Sequence, residues 1–481
     1  MIWSFTQTFG RLGVNFLFFA LLAVYLKPHE LGVVSVGMLI SAFIQSFSEL
    51  GFGAALIHKK RVSKEHYSSV FYLNMLMSFF LAALCFIFAE YISIVFKSEE
   101  IEPILKVLSF GFIINSTSLI HIAILQKEMK FKELAKRDIL AAVLGVVAGI
   151  LSVIYGAGVW SFVIQLMTYY TIGSLTIWQL TGWRPKYAEC SLNCVTELWP
   201  YSSKILITNF ITFATKNFDK IIIGGLLGPH ALGVYTFGYN LILLPLIAIN
   251  GAIGAYLFPK YSAMCEKIAE IRPSYLGIIK ITLFSLTPVI IIFSQFADIL
   301  IKYIWGEVWI EAIPIIQALC IVAFLGILIA PSGQLMKSLG KPEWLLYWTI
   351  FSVSLSSILI FIGIKIAGLI GVSFGLVFSC ILSLPVIIAV LNKLIHVNVK
   401  SLFILLKSIL IASIFMVVVF MAGKASGYID SFSLVVITLF ALLGYISLIL
   451  FLDECARNTV KLFFSGERRL VALIKTYAML N

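Results

Sequence analysis

Fourteen apolar runs alternate with short polar joints along this chain, and each is long enough to cross a bilayer as a helix. A helical span needs about 20 mostly apolar residues. By that rule the runs fall at 2–25, 32–57, 67–91, 104–126, 138–155, 158–181, 199–223, 231–257, 277–300, 312–336, 343–364, 368–391, 401–423 and 431–452. Only the turn Gly156-Ala157-Gly158 separates the fifth from the sixth, and the eleventh and twelfth meet at Lys365-Ile366-Ala367-Gly368. Met1 leads straight into apolar sequence, with no basic n-region or small-residue cleavage site. The first run is therefore expected to be a retained span rather than a signal peptide.

The joints carry a repeat. LKPHELGV (26–33) returns as LGPHALGV (227–234), six of eight residues identical at an offset of 201. A second pair, LQKEMKFKELA from Leu125 and LMKSLGKPEWL from Leu335, recurs at an offset of 210. The first pair lies in loops 1 and 7 with six spans between, so both halves would enter the membrane in the same direction. That is a parallel repeat about an axis along the membrane normal, an arrangement found in transporters. The expected organisation is an N-terminal lobe over 1–182, a linker over 183–198 and a C-terminal lobe over 199–392. Two additional spans (393–452) and a basic tail (453–481) follow. The fold class is thus an all-α polytopic membrane protein of about 14 helices, two six-helix lobes plus two. The tail alternates basic and apolar residues, a pattern suited either to an interfacial helix or to a solvated end.

Composition agrees. The 481 residues are 61% hydrophobic and 12% charged, with a mean hydropathy of +1.04; soluble chains carry about 25% charged residues. No sizeable soluble domain is hidden here. The net charge of +12 would raise nucleic-acid binding in a soluble protein, but here it sits mostly in short loops. The even-numbered loops and the tail hold twenty-three Lys and Arg residues, Arg137 among them; the odd-numbered loops hold five (Lys27, Lys97, Lys302, Lys365 and Lys424). By the positive-inside rule both termini are cytoplasmic. The seven cysteines (85, 190, 194, 265, 320, 380 and 455) form no zinc pattern and read as unpaired thiols.

Polar side chains inside spans are costly and usually face a cavity. In the first span Ser4, Thr8, Arg11 and Asn15 fall within about 60° of one another at 100° per residue. In the seventh, Asn209, Thr212, Lys216 and Lys220 fall within about 80°, with Asp219 beside them. At the repeat offset Thr8 maps onto Asn209, Arg11 onto Thr212 and Asn15 onto Lys216. Two polar stripes on equivalent helices suggest a lined path. Arg11 and Glu49 lie at similar depths and are candidates to pair, either as a structural salt bridge or as an anion contact with its gate. Lys216 and Lys220 either receive an anion or snorkel outward. Buried charge that leans positive favours a phosphate-bearing substrate over an organic cation. Arg11, Asn15, Asn209, Thr212, Lys216 and Lys220 are the candidate substrate contacts; Glu49 and Asp219 are candidates for gating or for coupling to a proton or sodium gradient. No cofactor or metal site is expected. No GxxxxGK[ST], HExxH or GxSxG motif is present. No loop is large enough for a glycan polymerase or ligase active site.

The ordered succession LGFGAALIHKK (50–60), VFYLN (70–74), LQKEMKFKELAKRD (125–138), GVWSFVIQ (158–165), WRPK (183–186), FDKIIIGGLLGPHALGVYTFGYNLILLPL (218–246) and FPKYSAM (258–264) resembles the bacterial polysaccharide flippases. These are the Wzx and WzxC-like exporters of the multidrug/oligosaccharidyl-lipid/polysaccharide superfamily. The resemblance implies fourteen helices in two lobes around a cationic cavity. It also implies movement of an undecaprenyl-diphosphate-linked oligosaccharide, an O-antigen or exopolysaccharide repeat unit, across the inner membrane. The implied partners are that substrate, membrane lipids and polysaccharide polymerase machinery, with no nucleic acid. In this resemblance Asp219 and the IIIGGLLG run after it match a family hallmark, whereas Val24 stands where members commonly carry Arg. A drug/cation antiporter of the same architecture and a peptidoglycan-precursor flippase are the alternatives; a membrane glycan polymerase is a more distant one.

Overall fold

The computed structural model describes residues 2–264, 268–425 and 431–453, with side chains from residue 10 onward apart from 269, 431, 432 and 434. The expected tail beyond Asp453, Cys265, Cys455 and the side chains of Ser4 and Thr8 lie outside the described residues. Among those residues all regular structure is helical: α1 (Ile2–Tyr25), α2 (Pro28–Ser48), α3 (Phe52–His58), α4 (Lys64–Val95), α5 (Ile101–Lys127), α6 (Phe131–Ile154), α7 (Trp160–Leu180), α8 (Leu192–Leu227), α9 (Pro229–Ala263), α10 (Ile268–Ile304), α11 (Ala312–Ser338), α12 (Pro342–Ile395), α13 (Val399–Ala425) and α14 (Ser431–Leu452). Ten of them are long and apolar enough to cross a membrane. This is a multi-pass membrane protein, and the fourteen expected runs all fall on these helices.

The termini of the helices follow local chemistry. Proline opens α2, α9 and α12, at a position where the missing N–H costs nothing. At the start of α2 the Lys27 backbone N–H donates to the Glu30 carboxylate at 2.7 Å, closing a capping contact. Left-handed residues end α4, α5 and α6 at Lys97, Met129 and Gly156. The span expected over 32–57 is two helices, because Leu50 (φ 46°) and Gly51 (φ 76°) break it between α2 and α3. A side chain at 51 would lie 2.6 Å from the Ser202 carbonyl oxygen, so this break is what lets α8 approach.

The long α12 is two antiparallel arms. Ala367 and Gly368 leave helical geometry, at the joint the sequence marks at 365–368. The arms then touch backbone to backbone, since a Cβ on Gly363 or Gly371 would overlap the other's carbonyl group.

The chain forms two compact units, 1–237 and 238–481. In the first, α6 packs against α1 and α7, and α5 against α4 and α7. Small residues set the spacing: a Cβ on Gly145 would meet the Gln165 carbonyl at 2.8 Å, and one on Gly149 would meet Phe18 at 2.6 Å. The helix α8, grouped by the repeat with the second half, packs here against α2, α3 and α4.

In the second unit, α10 packs against α11 and α13, and α13 against α14. Two ion pairs fix the last two helices to α10. Near one end Lys280 pairs with Asp453, which also accepts from Ser408 of α13 at 3.3 Å. Near the other, Lys424 donates to both oxygens of Asp298, at 3.1 and 3.0 Å. Eighteen residues of helix separate Lys280 from Asp298, about 27 Å at 1.5 Å per residue, so the two pairs brace nearly a full membrane thickness.

Candidate functional site

The first unit holds a polar cluster where α1, α6 and α7 meet. Arg11, on an exposed position of α1, lies within electrostatic reach of the Tyr169 side chain and the Asp138 carboxylate. Arg137 donates through Nη1 to Asp138 Oδ1 at 2.5 Å and through Nε to the Gly173 carbonyl at 3.0 Å. Its guanidinium carbon stands 5.8 Å from the centre of the Tyr169 ring, within range of a cation–π contact. Arg137 is 3% exposed and Asp138 4%. Gly173 makes the slot: a Cβ there would come within 2.5 Å of Arg137 Nη2. Next to Tyr169, the Tyr170 hydroxyl accepts from Gln45 Nε2 of α2 at 2.6 Å.

This arrangement corrects two expectations. Arg11 and Glu49 form no ion pair among the described residues; the polar side chains within electrostatic reach of Arg11 come from α6 and α7 instead. Arg137 is not a loop charge either, for α6 begins at Phe131 and carries it inside. Sequence patterns missed Arg137, Asp138 and Tyr169. The available signal was an adjacent pair of opposite charges at the very edge of an apolar run.

Asn15 is exposed on α1. On α8, Thr212 and Lys216 are exposed while Asn209, Asp219 and Lys220 are half-buried. Thr212 donates to the Thr208 carbonyl of its own helix at 2.7 Å. Asp219 accepts from the buried Tyr235 hydroxyl of α9 at 2.5 Å and from the Lys220 backbone N–H at 2.8 Å. Glu49 sits at the α2–α3 break, folded over Gly53, where a Cβ would overlap its carboxylate. No hydrogen bond or ion pair joins Arg11 or Asn15 to Asn209, Thr212 or Lys216 among the described residues. The α1 set and the α8 set are therefore two separate groups of polar side chains within one unit.

At the basic-loop end, the 183–198 segment is stitched to α4. The Ser191 N–H donates to Ser69 Oγ at 2.8 Å, and Ser68 Oγ donates to Glu189 at 3.3 Å. Glu197 pairs with Lys59 and lies 3.2 Å from His66 Nε2. Hydrogen bonds from Lys59 and then His66 hold the Glu197 carboxyl below the usual carboxylate range. The Lys127 ammonium caps the end of α3, donating to the carbonyls of Leu56 and Lys59 at 2.7 and 2.5 Å. At the opposite end Lys97 donates to the Leu226 carbonyl at 2.7 Å, closing the last turn of α8 in the same way.

The repeated motif lies at that end too, and its two copies meet. Gly32 faces the backbone of Pro229, and Gly233 faces that of Pro28; a Cβ on either glycine would overlap the opposing carbonyl. Pro and Gly thus shape a crossing of α2 with the first turns of α9.

Relatives are consistent with this fold. The chain is 24% identical over 348 residues to the teichuronic acid biosynthesis protein TuaB of Bacillus subtilis (strain 168), covering 72% of each chain. It is 23% identical over 379 residues to the lipopolysaccharide biosynthesis protein WzxC of Escherichia coli (strain K12), covering 78% of this chain and 76% of that one. Among solved structures, the lipid II flippase MurJ in an inward closed conformation superposes with a TM-score of 0.76 at 15% identity, over 94% of this chain and 99% of that one. An inward-facing multidrug resistance MATE family transporter of the MOP superfamily superposes with a TM-score of 0.54 at 19% identity, over 79% and 94%. The fold is the transporter fold these structures share. The model of one family, described as polysaccharide biosynthesis protein, matches residues 21–314, well over half of the chain, and to that family this protein belongs.

Proposed function

We propose that this protein moves an undecaprenyl-diphosphate-linked oligosaccharide, an O-antigen or exopolysaccharide repeat unit, from the cytoplasmic to the outer leaflet of the bacterial inner membrane by alternating access. The observation that carries the reading is Arg11. It is exposed on α1, the helix formed by the first apolar run, nine residues from Ile2, about 14 Å along the axis. A guanidinium at that depth is expensive against lipid and economical against a polar path. Lys216 and Lys220 on α8 extend the cationic character, which suits a diphosphate. Asn15, Asn209 and Thr212 would hydrogen-bond sugar hydroxyls. Membership of the polysaccharide biosynthesis family supports the glycan; the fold shared with a lipid II flippase supports a lipid-linked form of it.

Orientation with both termini in the cytoplasm rests on the loop charges, and a six-helix division at 1–182 and 199–392 rests on the repeat. Glu49 stands without an ion-pair partner among the described residues, which suits coupling to a proton or sodium gradient. Asp219, held by Tyr235, suits a gate. Contact with polysaccharide polymerase machinery would follow from the substrate. The drug/cation antiporter alternative would call for carboxylates rather than Arg11 and the lysines at the path.

The experiment is export complementation with Arg11→Ala and Lys216→Ala, each expressed at the normal level. The proposal expects loss of surface polysaccharide. Unchanged export in both variants sinks it.

A further inference from the structure

Arg11 has a rival for its charge. The Asp138 carboxylate lies within its electrostatic reach, and a carboxylate buried to 4% exposure demands a cation. Left to Arg11 alone, Asp138 would neutralise it and draw it toward α6, away from any ligand.

The neighbouring side chain prevents this. We propose that Arg137 is a resident counter-charge: by taking up Asp138 it leaves Arg11 charged and outward, so that Arg137, Asp138 and Tyr169 are positioning residues for an anionic head group. The inference rests on the reading of Arg11 as a diphosphate contact. Four observations support it. Arg137 bonds Asp138 directly, at 2.5 Å. It is anchored from the other side by the Gly173 carbonyl at 3.0 Å. The slot it occupies exists because residue 173 has no side chain. Finally, Tyr169 presents its ring to Arg137 at 5.8 Å and lies within electrostatic reach of Arg11, standing as a spacer between two like charges. Among the described residues the cluster holds two guanidiniums and one carboxylate, so one positive charge is left over. It is left on the exposed arginine, because the buried one is committed.

An anion of the substrate class, a prenyl diphosphate, would therefore meet a full charge at Arg11. Arg137, at 3% exposure, never touches it. Replacing Arg137 by a neutral residue should switch Asp138 onto Arg11 and silence it. Neutralising Asp138 as well should release Arg11 again.

Two readouts on full-length protein in nanodiscs test this. The first is binding of undecaprenyl diphosphate. Arg137→Met should weaken it by about tenfold or more, the worth of a charge-assisted contact, and R137M/D138N should recover to within about threefold of the parent. The second is modification of Arg11 by phenylglyoxal, followed by mass spectrometry, which needs no substrate. Arg11 should react in the parent, be protected in R137M and react again in the double variant.

Failure of the two ideas separates cleanly. A parent protein that does not bind undecaprenyl diphosphate, but shows the protection and its reversal, overturns the substrate reading and keeps the counter-charge. Unchanged Arg11 reactivity in R137M, or protection that persists in R137M/D138N, overturns the counter-charge. Should R137M not accumulate, Arg137→Lys carries the test: lysine keeps the charge, so Arg11 should stay reactive, and its protection in that variant overturns the proposal.

Discussion

Gly32 of α2 and Pro229 of α9 meet backbone to backbone, and Gly233 meets Pro28 in the mirror contact. No side chain fits on either glycine without parting the helices. Gly32→Ala and Gly233→Ala should each destabilise the protein by about 1–3 kcal/mol, the usual cost of overpacking. Gly225→Ala is the control, because nothing lies within 4 Å of the added methyl; in a helix interior it should be neutral or stabilising by up to ~1 kcal/mol. Thermal unfolding followed by size-exclusion chromatography ranks the three. Equal midpoints would remove the crossing from the account.

The Lys59–Glu197–His66 contacts predict a pH dependence confined to acid. The Glu197 carboxyl is held below its ordinary range by Lys59 and His66. A depressed carboxyl contributes stability above its unfolded value, about 4.3 for glutamate, and loses it as pH falls through the folded value. Glu197→Gln should therefore lower the melting temperature at pH 8, and the difference should close on acidification below about pH 4. A gap that widened on acidification would contradict the sign.

Cys190 tests orientation. It is exposed in the segment between α7 and α8, and its thiol is free. With the other cysteines changed to serine, an impermeant maleimide should label it only after the membrane is opened. Burial, then Glu189, raises this thiol, so labelling should accelerate steeply between pH 7 and pH 8.5, as the thiolate is the nucleophile. Labelling in intact cells would invert the topology.

The Lys280–Asp453 pair is largely buried, with side-chain exposures of 16% and 8%. Removing one partner from a buried pair costs about 3–5 kcal/mol, whereas replacing both by neutral groups is often close to neutral. Lys280→Met and Asp453→Asn should each reduce the amount of monodisperse protein, and K280M/D453N should recover much of it. Losses that simply add in the double variant would argue against the pair.

Much of this architecture is readable from residue order. Span limits, the joints at 156–158 and 365–368, and the repeat all depend on local pattern, because a bilayer imposes one length on every helix. The neighbours of Arg11 do not. Helix contacts in a membrane are set by small residues and interhelical hydrogen bonds rather than by an amphipathic stripe. The stripe on α1 therefore showed which face is polar, but not that Asp138 and Tyr169 stand against it. Glu49 looked as good a partner by depth alone. The glycines that choose the neighbours, Gly145, Gly149 and Gly173, look like any other glycine until the helix opposite is known.

The braces on α10 also set an order of events during synthesis. Lys424 follows Asp298 by 126 residues, and Asp453 is made later still. At about 5–20 residues per second, α10 waits on the order of ten seconds for the first of these partners. For that interval two charges must be sheltered by water, lipid head groups or the insertion machinery. The closing hairpin is thus the step that makes α10 at home in the bilayer, and a ribosome that stops before α13 releases a chain with a helix still soliciting help.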